Sequence, residues 1–151
     1  DIEKFIEYLI EINKGEGDEL VMSEKELEKK KKEEKIKKKF PVIVAEIEGK
    51  VVGFGMYSEF RFREAYQFTV EHSVYVSEDF QSKGIGKQLL QELINLARKQ
   101  KLHTMIGVID SENQSSVVFH EKFGFKTVGI IKESGYKFDR WLDSVLMQLL
   151  F

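Results

Sequence analysis

The apolar positions change period partway along the chain. Ile2, Phe5, Ile6, Leu9 and Ile10 recur at helical spacing, with Asp1 placed to cap the run and Gly15 to stop it. Ser23-Glu24-Lys25-Glu26 then reads as a capping box for a second helix. That stretch, to Lys39, is almost wholly Lys and Glu, with Leu27 and Ile36 the apolar interruptions before Phe40. Glu26/Lys30, Glu28/Lys32, Glu33/Lys37 and Glu34/Lys38 are i,i+4 pairs in the favourable order, each worth about 0.2–0.5 kcal/mol. The tract reads as a solvated helix, with a basic contact surface as the alternative. It is the one low-complexity segment, and no internal repeat is visible.

After Pro41 the period becomes that of strands. Val42 to Ile47 and Val51 to Tyr57 flank Glu48-Gly49-Lys50, which predicts a hairpin. Ala65 to Val76, rich in aromatic and β-branched residues, predicts a third strand. Phe60, Phe62, Tyr66 and Phe68 are spaced by even numbers and would share one strand face, as core or as a pocket wall. Gly84 to Lys99 predicts a helix with Ile85, Leu89, Leu90, Leu93, Ile94 and Ala97 on one side. Leu102 to Ile109 reads as a strand buried on both faces, and Asn113 to Phe123 as a short helix ended by Gly124. Phe125 to Lys132 and Tyr136 to Leu150 complete the pattern as strands. The order α-α-β-β-β-α-β-α-β-β implies an α/β fold whose middle strand–helix–strand unit is a right-handed parallel crossover.

Length and composition narrow the function. The 151 residues suit one domain over 1–151, divided into a helical part over 1–40 and a core over 41–151. A net charge of -2 speaks against a chain devoted to nucleic acid or to acidic membrane. The absence of cysteine removes thiolate nucleophiles, disulfides and cysteine-based zinc sites. Three scattered histidines show no metal-ligand spacing, so no metal is expected. No apolar run approaches the roughly 18 residues of a membrane span, and no signal peptide is legible; the expected compartment is the cytoplasm.

One segment carries chemistry. Val74-Tyr75-Val76 feeds Gln81-Ser82-Lys83-Gly84-Ile85-Gly86-Lys87, which opens the long helix. Unpaired amides at a helix start, with the positive end of the dipole, attract anions, and glycine lets a phosphate approach the backbone. A P-loop would need Gly at Gln81 and Ser or Thr at Gln88. A dinucleotide fingerprint would need a small residue at Leu89. What remains, Gln-x-x-Gly-x-Gly, resembles the acyl-CoA pyrophosphate loop of the GNAT superfamily.

The resemblance extends beyond the loop. Ala65-Tyr66, Thr69 to Val76, Asn113, Ser116, His120-Glu121-Lys122, Gly124-Phe125, Gly129 and Gly135-Tyr136-Lys137-Phe138-x-x-Trp141-x-Asp143 are similar to the phosphinothricin and methionine sulfoximine acetyltransferases. The match runs from Pro41 to about Leu150, and the N-terminal third departs from it: no opening strand precedes the first helix. The resemblance implies a mixed sheet splayed between the strand ending at Val76 and that over Leu102 to Ile109. It implies acetyl-CoA in the splay, pyrophosphate on the amides of Gln81 to Lys87, and a bulge near Ser73 to Tyr75 that frees amides for the pantetheine and thioester. It also implies a homodimer, with Tyr136 to Trp141 reaching the partner.

Acetyl transfer to an amine needs a base, a place for the oxyanion, and a proton or dipole for the departing sulfur. Glu71 is the candidate base, since a carboxylate inside an apolar strand is raised toward neutral pH. The alternative is a surface glutamate. His120 is the candidate near sulfur, at a helix position where many GNAT enzymes carry tyrosine; the alternative is a cap or packing residue. Asn113 is an N-cap or a pantetheine ligand, with Ser116 beside it. His72, on the strand face opposite Glu71, reads as an ordinary core or surface histidine, and His103 as structural. Arg61 and Arg63 are candidates for an acceptor carboxylate, with Tyr66 beside them; the alternative is two solvated arginines. The expected activity is direct acetyl transfer to a small amino-acid-like amine. A polyamine or protein N-terminus is the rival acceptor, and a non-catalytic acyl-CoA-binding module the rival class.

Overall fold

The computed structural model describes residues 40–151 as an open mixed sheet carrying two helices on one face. The helices expected around Ile2 to Ile10 and over the Lys/Glu tract lie outside the described residues. Strands β1 (Val42–Ile47) and β2 (Lys50–Glu59) form the expected hairpin. Glu48 and Gly49 both take positive φ there, as a tight turn between twisted strands demands. Next come β3 (Thr69–Val76), α1 (Ile85–Lys99), β4 (Thr104–Asp110), α2 (Gln114–Glu121), β5 (Lys126–Lys137) and β6 (Arg140–Leu150). The order across the sheet is β1-β2-β3-β4-β6-β5, with β3 and β4 the parallel pair.

Helix α1 packs on the sheet because its apolar stripe meets the face that β1, β2 and β3 present. Leu90, Leu93, Ile94 and Ala97 share one core with Val70, Met105, Ile109, Val117, Phe125 and Met147. Side chains such as Leu90 and Leu93 gain about 1.5–3 kcal/mol each from full burial. Gly53 and Gly55 let the helix lie close to β2. A Cβ at Gly53 would stand 3.3 Å from Leu89, and one at Gly55 3.1 Å from Leu93.

The parallel pairing is brief. Thr69, Val70 and Glu71 pair with Thr104, Met105 and Ile106, and there it stops. Beyond that point β3 continues beside β2 and β4 beside β6, so the sheet forks at Glu71. The expected splay is therefore present. The expected bulge is not: β2 and β3 stay in even register from Gly53↔Val76 to Glu59↔Val70. It is the departure of β4 that leaves the inner edge of β3 without a strand partner among the described residues.

Three other expectations need correction. The third strand starts at Thr69 rather than Ala65, because residues 64–66 form a 3-10 turn. Phe60, Phe62, Tyr66 and Phe68 thus do not share a strand face; Phe62 is 98% exposed, while Phe60 packs edge-on against Tyr66. The C-terminal hairpin turns at Phe138-Asp139, both with positive φ, so Tyr136 belongs to β5. The Gly135 region that looked like a turn is a register shift between Ile131 and Gly135.

Candidate active site

The fork encloses a cavity of about 470 Å³ on the helix-bearing side. One end is walled by Gln81, Ser82 and Gly86, the other by His72, His120 and Gly107, and Val74 to Val76 run along its side. Asn113, Ser116 and Phe119 of the α2 segment close it.

At the loop end the backbone does the shaping. Ser82 and Gly84 take positive φ, and Gly84 is the N-cap of α1. A Cβ at Gly84 would meet nothing within 4 Å. The first turn of α1 holds no acidic side chain to compete for its amides. The Gln81 side chain donates back to the Val76 carbonyl at 3.2 Å, tying loop to strand. Lys83 Nζ sits 5.0 Å from the Phe80 ring centroid. A second cleft lies on the far side of the same loop, lined by Gly84, Lys87, Arg98 and Lys122. The open volume over a glycine N-cap, flanked by cations, suits a pyrophosphate group.

At the fork end the side chains do the shaping. His72 of β3 and His120 of α2 are both buried, and their Nε2 atoms lie 3.0 Å apart. His120 Nδ1 is 2.6 Å from the Ser116 carbonyl oxygen. Burial lowers both imidazoles, His72 to about 3 and His120 against the opposing hydrogen bond to Ser116. Glu71 is half-buried at the last residue pair before the fork, on the opposite sheet face from His72, and burial raises its carboxyl. Glu71 and the histidines therefore flank the fork point from the two faces of the sheet.

Asn113 caps α2: its Oδ1 accepts from the Ser116 amide at 3.2 Å, while the residue still lines the cavity. Arg61 and Arg63 lie in the loop that joins β2 to β3 rather than in a strand, so alternation does not set their direction. The Arg61 guanidinium rests 5.6 Å from the Phe60 centroid and 5.8 Å from that of Tyr66. The loop closes with Phe60 N donating to Thr69 O, two residues from Glu71. His72 and Gly107 are the site residues that sequence reasoning missed. No group of three or more His, Asp or Glu side chains able to hold a metal occurs among the described residues. No described helix is long and apolar enough to cross a membrane.

A family model described as the acetyltransferase (GNAT) family matches residues 6–125. A methionine sulfoximine/methionine sulfone acetyltransferase of Pseudomonas aeruginosa is 46% identical over 111 residues, covering 73% of this chain and 64% of that enzyme. The chain thus spans less than two thirds of that relative's length. A GNAT superfamily phosphinothricin acetyltransferase from Sinorhizobium meliloti, solved in complex with AcCoA, aligns with TM-score 0.71 and 42% identity over 74% of this chain and 61% of that one. A ribosomal-protein-alanine N-acetyltransferase from Brucella melitensis aligns with TM-score 0.74 and 37% identity over 95% and 92%.

Proposed function

This chain belongs to the GNAT acetyltransferase family, and on that premise we propose that it moves the acetyl group of acetyl-CoA directly onto the amine of a small amino-acid-like acceptor of the methionine sulfoximine, methionine sulfone or phosphinothricin type. The observation that carries this reading is the forked cavity, which runs from an anion-suited loop to the buried His72–His120 pair, with Glu71 at the fork on the other face of the sheet. Its length and two-ended character match a phosphate-bearing carrier with a reactive tip.

The residues divide the work as follows. Amides of Gln81 to Lys87, with the Ser82 and Lys83 side chains nearby, hold the pyrophosphate. The free edge of Val74, Tyr75 and Val76, with Asn113 and Ser116 opposite, holds the pantetheine arm. Glu71 takes the amine proton, directly or through water; its raised pKa places it nearer working pH. His120 supplies the departing sulfur with a proton or a dipole. Arg61 and Arg63, with Tyr66, bind the acceptor's carboxylate near Glu71; the aromatic stacking of Arg61 supports this. The sequence offers no cysteine to carry an acyl-enzyme, which fits direct attack. On this reading the chain works in the cytoplasm, beside its co-substrate, as a homodimer. Exposed Tyr136, Phe138 and Trp141 at one hairpin support the dimer, which light scattering at micromolar concentration checks.

The rival acceptor is a protein N-terminus, favoured by the near-complete overlap with the Brucella melitensis structure. A thiol-detection assay of CoA release across an amine panel decides. Turnover with methionine sulfone, methionine sulfoximine or phosphinothricin is expected. Turnover confined to peptides or polyamines would replace the acceptor. CoA binding without turnover on any amine would replace the enzyme with a binding module.

A further inference from the structure

His72 is a buried polar residue to which the reaction above gives no role. It is 7% exposed, and its Nδ1 has no hydrogen-bond partner among the described residues. The proton positions in the pair follow from the partners. A carbonyl oxygen only accepts, so His120 Nδ1 carries the hydrogen that points at Ser116 O. A neutral ring protonated there has its lone pair on Nε2. The hydrogen between the two Nε2 atoms must then belong to His72, which leaves His72 Nδ1 as a bare acceptor. Burial, which disfavours charge on either ring, keeps this arrangement neutral.

The surroundings are shaped to this contact. A Cβ at Gly107 of β4 would stand 3.1 Å from His72 Nε2 and 3.5 Å from His120 Cδ2. The absent side chain is what lets a β3 residue reach an α2 residue across β4. Phe125 packs edge-on against both rings, at 5.5 Å and 5.2 Å between centroids, and Phe119 against His120 at 5.3 Å. An imidazole held on three sides by rings and by a donor has one orientation.

We propose that His72 is a positioning residue for acyl transfer: it donates its Nε2–H to His120 Nε2 across Gly107 and so fixes the tautomer and angle of the His120 ring at the fork end of the cavity. The inference rests on the function proposed above and sharpens it. With Nδ1–H given to Ser116 and Nε2 already accepting, His120 has no spare hydrogen for the departing sulfur. Its contribution there is the dipole of a fixed neutral ring.

Long-range proton–nitrogen NMR of the imidazoles, with steady-state kinetics, tests this. At neutral pH the wild-type chain should show His120 protonated on Nδ1 and His72 on Nε2. His72→Leu should lower kcat about tenfold or more, as loss of a histidine's orienting partner does, with little change in KM for acetyl-CoA. His72→Gln, whose amide can donate from nearly the same place, should recover most of the loss. Gly107→Ala keeps both histidines but pushes into their contact, and should reproduce the loss; it serves where His72→Leu does not fold. Wild-type kcat in His72→Leu or in Gly107→Ala would overturn the proposal, as would His120 protonated on Nε2. A wild-type chain inactive on every amine would overturn the proposed function and this inference together. An active wild type with an indifferent His72→Leu variant overturns this inference alone.

Discussion

The two ends of the cavity are built from different materials. At the loop end, contiguous residues 81–87 offer backbone amides around a left-handed glycine, open to solvent. At the fork end, side chains from β3 and α2 meet in the interior across Gly107 of β4, and their protons are fixed by what each can donate or accept. A backbone site depends on conformation, so most side chains in it can vary and the glycine cannot. A side-chain site depends on identity at every position, including the glycine whose missing Cβ is a space. The first arrangement suits holding a large anion that does not react. The second suits chemistry, where a proton's position matters.

The largest effect should fall at the fork. Glu71→Gln keeps the shape and removes the base, so kcat should drop by about 100- to 10,000-fold with acetyl-CoA affinity retained. The sign of the pH dependence follows from the raised carboxyl. The base works when deprotonated, so kcat/KM should rise with pH through a limb above the ordinary glutamate value of about 4.3, and the limb should vanish in the variant. Wild-type speed in Glu71→Gln would move the chemistry away from the fork. A smaller effect is expected at the loop, and it comes as a pair. Gly84→Val loses the left-handed N-cap and fills the space above it, and should weaken acetyl-CoA binding at least tenfold, about 1.4 kcal/mol. Lys83→Gln removes an exposed charge that rests on Phe80 and should cost well under that, since exposed ion contacts contribute about 0–1 kcal/mol. Calorimetric titration of both variants measures the contrast. If Lys83 costs as much as Gly84, charge rather than backbone holds the anion.

The same division explains what could be read from the chain. The first hairpin, α1 and the loop were legible because their causes are local: a turn glycine, a helical stripe, a glycine before a helix. Glu71 was singled out by its place in an apolar strand and by resemblance, His120 by resemblance, and both stand at the fork. His72 was read as an ordinary histidine because its partner stands 48 residues away and the space between them belongs to a third element, β4. The aromatics from Phe60 to Phe68 show even spacing without a strand, since residues 64–66 coil into a 3-10 turn between them. Phe138-Asp139 carries no glycine to announce the final turn, whereas Gly135 announces one where the strand only shifts register. The free edge of β3 was foreseen with the wrong cause, because a departing neighbour and a bulge both leave amides unpaired.

The fork can also be regarded as a crack in an elastic sheet. Three residue pairs weld β1-β2-β3 to β4-β6-β5, and the crack tip lies at Glu71↔Ile106. From Glu71 to Val76 the free flank is five residues, about 16 Å at the rise of a strand. Levering the flanks apart by about 10° would widen the mouth beside the loop by about 3 Å over that length, while the tip barely moves. A bulky ligand can thus be admitted at the mouth with the carboxylate at the tip kept in place.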